Sequence, residues 1–129
     1  MRAPRIRIVL GLGLLVLLGC GPSLADTVYY RCVKAMGKQT NPNEVMLLII
    51  DPLLGEMKAE RYSGQTLRSR TVYQLEKMDE RTIRGRYVLP IVGGIEMVLE
   101  LDRAKGRVTE AIGGKEPTYY DCEPPGSAP

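Results

Sequence analysis

The chain has 129 residues, of which 44% are hydrophobic and 26% are charged, a balance typical of one globular domain rather than of a disordered or fibrous polymer. It contains no His, Trp or Phe. Without His, a Ser-His-Asp triad, a His-based metal site and a histidine pH switch are all excluded.

The N-terminal segment, residues 1–25, has the pattern of a secretory signal. Three arginines precede an apolar stretch from Ile8 to Leu18, and Ser23-Leu24-Ala25 supplies the small residues that a leader peptidase accepts. The apolar stretch is shorter than the about 20 residues that span a bilayer as a helix. We therefore expect a signal peptide and a periplasmic or secreted mature protein.

A second kind of processing is an alternative. Leu17-Leu18-Gly19-Cys20 resembles the lipobox of bacterial lipoproteins, in which the cysteine is lipidated and becomes the new N-terminus. Leu18 stands where that motif usually has a smaller residue. Soluble export is the first interpretation, and a membrane-anchored lipoprotein with a lipid on Cys20 is the alternative.

The positive charge of the chain belongs to this leader. The whole chain has 18 basic and 15 acidic residues, and removal of the three leader arginines leaves the two signs equal. A nucleic-acid-binding protein needs a surplus of cationic side chains against phosphates. The neutral mature chain argues against that class of partner, and membrane contact is expected only through the alternative lipid anchor.

Cys32 and Cys122 remain near the two ends of the mature chain in an oxidising compartment. We predict a disulfide between them, because no close cysteine pair of the redox-enzyme type exists. Both cysteines end the pattern Tyr-Tyr-x-Cys, at Tyr29 and at Tyr119. This repetition indicates that the first and last strands are neighbours.

Turn signals recur every 8 to 12 residues between the cysteines, the spacing of an antiparallel meander. We predict one all-β domain over residues 26–122, an eight-stranded barrel closed by the disulfide, with a two-layer sandwich as the alternative. A proline-rich tail, 123–129, is expected to be disordered. The predicted strands are Thr27–Lys34, Glu44–Ile50, Glu56–Tyr62, Arg70–Lys77, Arg81–Leu89, Ile95–Asp102, Arg107–Ile112 and Thr118–Cys122.

Alternating hairpins divide the connections between two ends of such a barrel. One end has the longer, glycine-rich segments: 37–43, 63–66, 90–94 and 113–116. We expect this end to bind a partner, since loops on a rigid scaffold commonly carry function. At the opposite end, Leu53 and Leu54 are expected to cap the barrel, and an exposed apolar contact for lipid or protein is the alternative.

No catalytic constellation stands out in the sequence. Asp79 and Glu80 are adjacent in a predicted turn, whereas a glycosidase holds its two carboxylates a set distance apart across a cleft. The glycine pairs lack the helix that a phosphate-binding loop requires. We expect a protein that is not an enzyme and that uses no metal and no cofactor.

The layout from Thr27 to Cys122, with a Tyr-x-Cys start, a short barrel and a late cysteine, resembles the membrane-bound and periplasmic inhibitors of c-type lysozyme. In that family the serine of a Ser-Gly-x-x-Tyr loop enters the lysozyme cleft, assisted by a later lysine-bearing loop. Here Ser63-Gly64-Gln65-Thr66-Leu67 starts the motif and has Leu67 in place of the tyrosine. The resemblance implies that Ser63, Gly64 and Lys115 contact a partner.

These observations together favour an exported, non-enzymatic binding protein of the bacterial envelope, with c-type lysozyme or another envelope protein as its partner. Two alternatives remain open. An eight-stranded barrel can also hold one small ligand, which would make the protein a carrier of a small apolar molecule or lipid. The third interpretation is a structural envelope lipoprotein.

Overall fold

The computed structural model describes residues 26–91 and 93–126; the expected signal segment, Cys20 and residues 127–129 lie outside this part of the chain. Eight antiparallel strands form a closed barrel in sequential order, so the architecture is the barrel and not the sandwich. The strands are β1 (Val28–Met36), β2 (Gln39–Asp51), β3 (Glu56–Ser63), β4 (Thr66–Met78), β5 (Thr82–Leu89), β6 (Ile95–Asp102), β7 (Arg107–Ile112) and β8 (Thr118–Cys122).

The interior follows from the period of two in each strand. On β5 and β6, Ile83, Leu99 and Leu101 have no exposed surface, whereas Arg84 and Glu100 alternate with them on the outer face. Arg84 lies directly opposite Glu100, and its Nε donates to the carboxylate at 2.7 Å. Arg84 and Glu100 thus form a cross-strand ion pair on the outer face of the barrel.

Aliphatic side chains, methionines and three tyrosines fill most of the barrel. The largest fully buried side chains are Tyr73, Met46, Leu48, Ile50, Met57, Ile83, Leu99, Leu101, Val108 and Cys32. Removing such groups from water is the main favourable term in folding. The core therefore occupies the interior of the barrel.

The predicted disulfide joins Cys32 of β1 to Cys122 of β8, with the two Cα atoms 3.9 Å apart. These strands close the barrel through only three residue pairs, of which Cys32↔Cys122 is one. The disulfide thus crosslinks the seam between β1 and β8, the two neighbouring strands with the shortest ladder in the barrel. A disulfide of this kind is compatible with an exported protein.

The expected disordered tail begins as ordered chain. The N–H groups of Glu123 and Gly126 donate to the carbonyls of Arg31 and Tyr29, each at 2.9 Å, and the Arg31 guanidinium forms an ion pair with Glu123. Residues 123–126 therefore extend β8 along β1. The β1–β8 ladder ends at Cys32, so the carbonyls of β1 that precede Cys32 can accept from residues that follow Cys122. Pro124 and Pro125 have no N–H to donate and lie between the two donors, Glu123 and Gly126.

Two expected loops are mostly strand. β2 begins at Gln39 rather than at Glu44, and β4 begins at Thr66 rather than at Arg70. The β1–β2 pairing shifts between Val33↔Val45 and Lys34↔Asn41, so residues 42–44 bulge out of the ladder. Pro42 and Asn43 favour turns, but a bulge accommodates them within a continuing strand.

Candidate functional site

The turns at the two ends of the barrel define two candidate surfaces. The Ser63 end carries the β1–β2, β3–β4, β5–β6 and β7–β8 connections, and the Leu53 end carries the other three. The expectation of long loops at the Ser63 end is wrong for two of them, since only residues 37–38 and 64–65 separate the strands there. Short turns on paired strands make this part of the end stiff rather than loose.

The Ser63-Gly64 turn is held by the bulge in β2. The Gly64 N–H donates to the Asn43 carbonyl at 2.7 Å, and Ser63 Oγ donates to Glu44 Oε2 at 2.6 Å. Gly64 has a φ of 62°, a conformation that side chains with a Cβ rarely adopt. The hydroxyl that the resemblance singles out is therefore fixed in position, and its proton is engaged by a carboxylate of the same chain.

Lys115 lies in the β7–β8 connection, where its side chain is exposed and its N–H donates to the Ile112 carbonyl at 3.1 Å. The β3–β4 and β7–β8 turns are separated by four strands of an eight-stranded barrel. Ser63 and Lys115 thus belong to the same end but to opposite sides of it. A partner that contacts both would have to lie across the mouth of the barrel.

A buried polar network lies beneath this end and is absent from the sequence-based candidates. The Arg61 guanidinium forms an ion pair with Glu110, and its Nη2 also donates to the Tyr73 hydroxyl at 2.9 Å. Its Nη1 donates to Thr71 Oγ1 at 3.2 Å. The side chains of Arg61 and Glu110 are only 18% and 7% exposed, so this pair connects β3 to β7 inside the barrel.

A local signal for this network was present in the sequence. On β3 the inward positions are Met57, Ala59 and Arg61, and on β7 they are Val108 and Glu110. Each strand therefore places a charged residue in line with core residues. A charge on a core-facing position requires a partner, because an unpaired buried charge is very costly.

The network changes the titration of its members. Burial opposes ionisation of Arg61, but attraction to Glu110 and hydrogen bonds to Glu110 and Tyr73 together outweigh it and raise the pKa of Arg61. Burial also raises the pKa of the Tyr73 and Tyr120 hydroxyls, and nearby Arg61 offsets this only in part. Around neutral pH, Arg61 is thus a cation and both tyrosine hydroxyls are uncharged.

The barrel wall is open beside this network. The β4–β5 ladder runs only from Met78↔Ile83 to Gln74↔Arg86, although β4 continues along β3 and β5 continues to Leu89. A cleft of about 760 Å³ lies where the two strands part. Its lining residues are Arg61, Ser69, Arg70, Thr71, Val72, Tyr87, Leu89, Met97, Glu110 and Ile112.

The Leu53 end has a different character. Leu53 and Leu54 are 77% and 66% exposed, so the expectation that they cap the barrel is wrong. The Leu54 N–H donates to Asp51 Oδ1 at 3.1 Å, a bond that stabilises the turn at the hairpin tip. A cleft of about 920 Å³ at this end includes Tyr30, Met78 and Pro125 among its lining residues.

Asp79 has a structural role at this end. Its carboxylate accepts the N–H groups of Arg81 and Thr82, each at 2.8 Å, and these bonds lower its pKa. It therefore shapes the β4–β5 turn, as expected of a turn aspartate. Within residues 26–91 and 93–126, no group of three or more Cys, Asp or Glu side chains is placed to hold a metal ion.

Three comparisons with known proteins complete the description of the site. No family model, no curated protein and no solved structure matches the chain. In the part of the chain that the structure describes, no helix is long and apolar enough to cross a membrane.

Proposed function

We propose that the protein is an exported, non-enzymatic binding domain of the bacterial envelope that engages a partner protein through the Ser63 end, with c-type lysozyme as the most specific partner. The observation that supports this proposal is the clamped Ser63-Gly64 turn, held by hydrogen bonds of 2.6 and 2.7 Å to residues 44 and 43. A turn that is already ordered loses little conformational entropy when it binds.

The proposed contact is electrostatic and polar. The Ser63 hydroxyl and the exposed Lys115 ammonium would hydrogen-bond to the carboxylates of the lysozyme cleft and exclude substrate from it. Glu44 competes for the Ser63 proton, because it is the acceptor of that hydroxyl in the free protein. Binding therefore requires the hydroxyl to exchange one carboxylate for another, a change that needs only rotation of the side chain.

Lysis of bacterial cell walls by a c-type lysozyme, followed by turbidity, tests this proposal. Excess protein is expected to slow lysis, and Ser63→Ala to weaken inhibition by about ten- to a hundredfold, the loss of one hydrogen bond to a charged group. Lys115→Ala should also weaken inhibition. Lys105→Ala, an exposed turn lysine at the opposite end, is the matched control and should inhibit as the unaltered protein does.

An unchanged rate of lysis in stoichiometric excess of protein would remove lysozyme as the partner. Equal inhibition by the Ser63→Ala protein would remove that side chain from the contact. The localisation is tested separately by the mass of the mature N-terminus, which distinguishes cleavage before Asp26 from a lipidated Cys20. The lipidated form would support the membrane-anchored alternative.

The cleft between β4 and β5 supports a second candidate function, carriage of a small apolar molecule or lipid. Its volume of about 760 Å³ falls within the range of small-molecule sites, roughly 300 to 1,000 Å³. Extraction of the folded secreted protein with organic solvent, followed by mass spectrometry, tests this function. Release of one apolar compound in stoichiometric amount would support it, and an extract without any apolar compound would count against it.

A further inference from the structure

The chemistry of the β4–β5 cleft restricts the ligand that it can hold. Tyr87, Leu89, Met97 and Ile112 form an apolar wall along β5, β6 and β7. Other lining groups are polar, namely the hydroxyls of Ser69 and Thr71 on β4 and the Arg61–Glu110 ion pair. A site with an apolar wall and a separate polar region fits an amphiphile rather than a sugar or a wholly apolar molecule.

Each charged side chain of the lining forms an ion pair with a residue of opposite sign. Arg61 is neutralised by Glu110, and Arg70 by Glu60, whose carboxylate oxygen lies 2.8 Å from Arg70 Nε. These three lining side chains, Arg61, Glu110 and Arg70, are the charged groups of the cleft. A charged headgroup would meet a like charge next to each opposite one and would lose its hydration without a free counter-charge.

An uncharged headgroup that both donates and accepts hydrogen bonds meets no such cost. A hydroxyl or amide can accept from the guanidinium or donate to the carboxylate without breaking the ion pair. We propose that the cleft binds one uncharged amphiphile, an alkyl or acyl chain with a hydroxyl- or amide-bearing head, with the chain along the apolar wall and the head at the Arg61–Glu110 pair. This inference rests on the second proposed function, carriage of a small molecule.

The β4–β5 opening provides the route of entry. Val72 and Val88, exposed by 40% and 55%, stand on the outer side where the ladder stops. A second cavity of about 530 Å³ lies there and shares Val72 and Tyr87 with the cleft. An alkyl chain can therefore pass between β4 and β5 without opening the disulfide-closed seam on the other side of the barrel.

Fluorescence of Nile red, an uncharged apolar dye, provides the test on the secreted protein. Bound dye is displaced with monolauroylglycerol, laurate or dodecylammonium, which share the same chain and differ in head charge, each below its critical micelle concentration. We expect monolauroylglycerol to displace the dye at a concentration at least about tenfold below those of both ions, a difference of about 1.4 kcal/mol.

Charge variants separate head recognition from simple hydrophobicity. Glu110→Gln leaves Arg61 unpaired and should strengthen displacement by laurate at least tenfold, about 1.4 kcal/mol, while Arg61→Gln should do the same for dodecylammonium. Glu100→Gln, which breaks the ion pair with Arg84 on the outer face away from both cavities, is the matched control and should leave the ranking unchanged. Thermal unfolding followed by circular dichroism establishes that each variant is folded.

The ranking on the unaltered protein stands even where a charge variant does not fold. Equal displacement by the three amphiphiles, or stronger displacement by either ion, would overturn the proposed ligand class while leaving carriage itself intact. Absence of dye binding and of any displacement would overturn both the ligand class and the carrier function. Lysozyme inhibition would be unaffected by either result, because it depends on Ser63 and Lys115.

Discussion

Replacement of Gly85 tests the packing of the barrel directly. Gly85 is buried in the middle of β5, paired with Leu75 of β4 and Leu99 of β6. A Cβ at this position would lie 2.7 Å from Tyr73 Cβ and 3.0 Å from Met57 Sδ. The methionine end can move, but Tyr73 Cβ is fixed to the backbone of β4, so the two strands must separate.

The cost of Gly85→Ala can be worked out from these contacts. Overpacking of a filled core typically costs about 1 to 3 kcal/mol. Alanine also restricts the unfolded chain, which offsets about 0.4 to 1 kcal/mol. We expect a net loss of about 1 to 2 kcal/mol in the free energy of unfolding, or a Tm lower by about 4 to 16 °C for a domain of this size.

Urea unfolding followed by far-ultraviolet circular dichroism measures this loss on the disulfide-bonded protein. Gly114→Ala is the matched control: it lies in the β7–β8 connection, and a Cβ there meets no atom within 4 Å. Its stability should be unchanged or slightly higher. The reasoning is refuted if Gly85→Ala unfolds at the same urea concentration as the unaltered protein or shifts no more than the control does.

Two further predictions concern the seam and the buried network. Replacing both Cys32 and Cys122 by Ala should lower the free energy of unfolding by up to about 4 to 5 kcal/mol, because the bond closes a loop over a separation of 90 residues; an unchanged urea midpoint would contradict this role. Burial raises the pKa of Tyr73 and Tyr120 above the value of about 10 that a tyrosine has in the unfolded chain. The stability that these shifts contribute is fully present below that pH. It is lost as the pH rises through the higher pKa values of the folded protein. Urea midpoints measured from about pH 9 to 12 should therefore fall, and less steeply for Tyr73→Phe than for the unaltered protein; equal slopes would show that Tyr73 does not contribute.

Local patterns in the sequence were sufficient for the elements of the fold. Alternation on β5 and β6 separates Ile83 and Leu101 from Arg84 and Glu100, and this period of two depends only on backbone geometry. The disulfide was equally predictable, because Cys32 and Cys122 are the only cysteines after residue 25. The ends of the strands were less predictable, because β2 continues through the bulge at 42–44, where the residues favour turns.

The polar network and the cleft were decided by tertiary structure. Arg61 and Glu110 are 49 positions apart, and the sequence showed only that each would lie among core residues. Their contact depends on the closure of the barrel and on the positions of β3 and β7 along the barrel axis. The β4–β5 ladder ends at Gln74, where β4 continues along β3 and β5 continues along β6. The sequence by itself determined which side chains face inward, because that alternates locally, whereas the partners they find across the barrel depend on strand register and twist summed over the whole sheet.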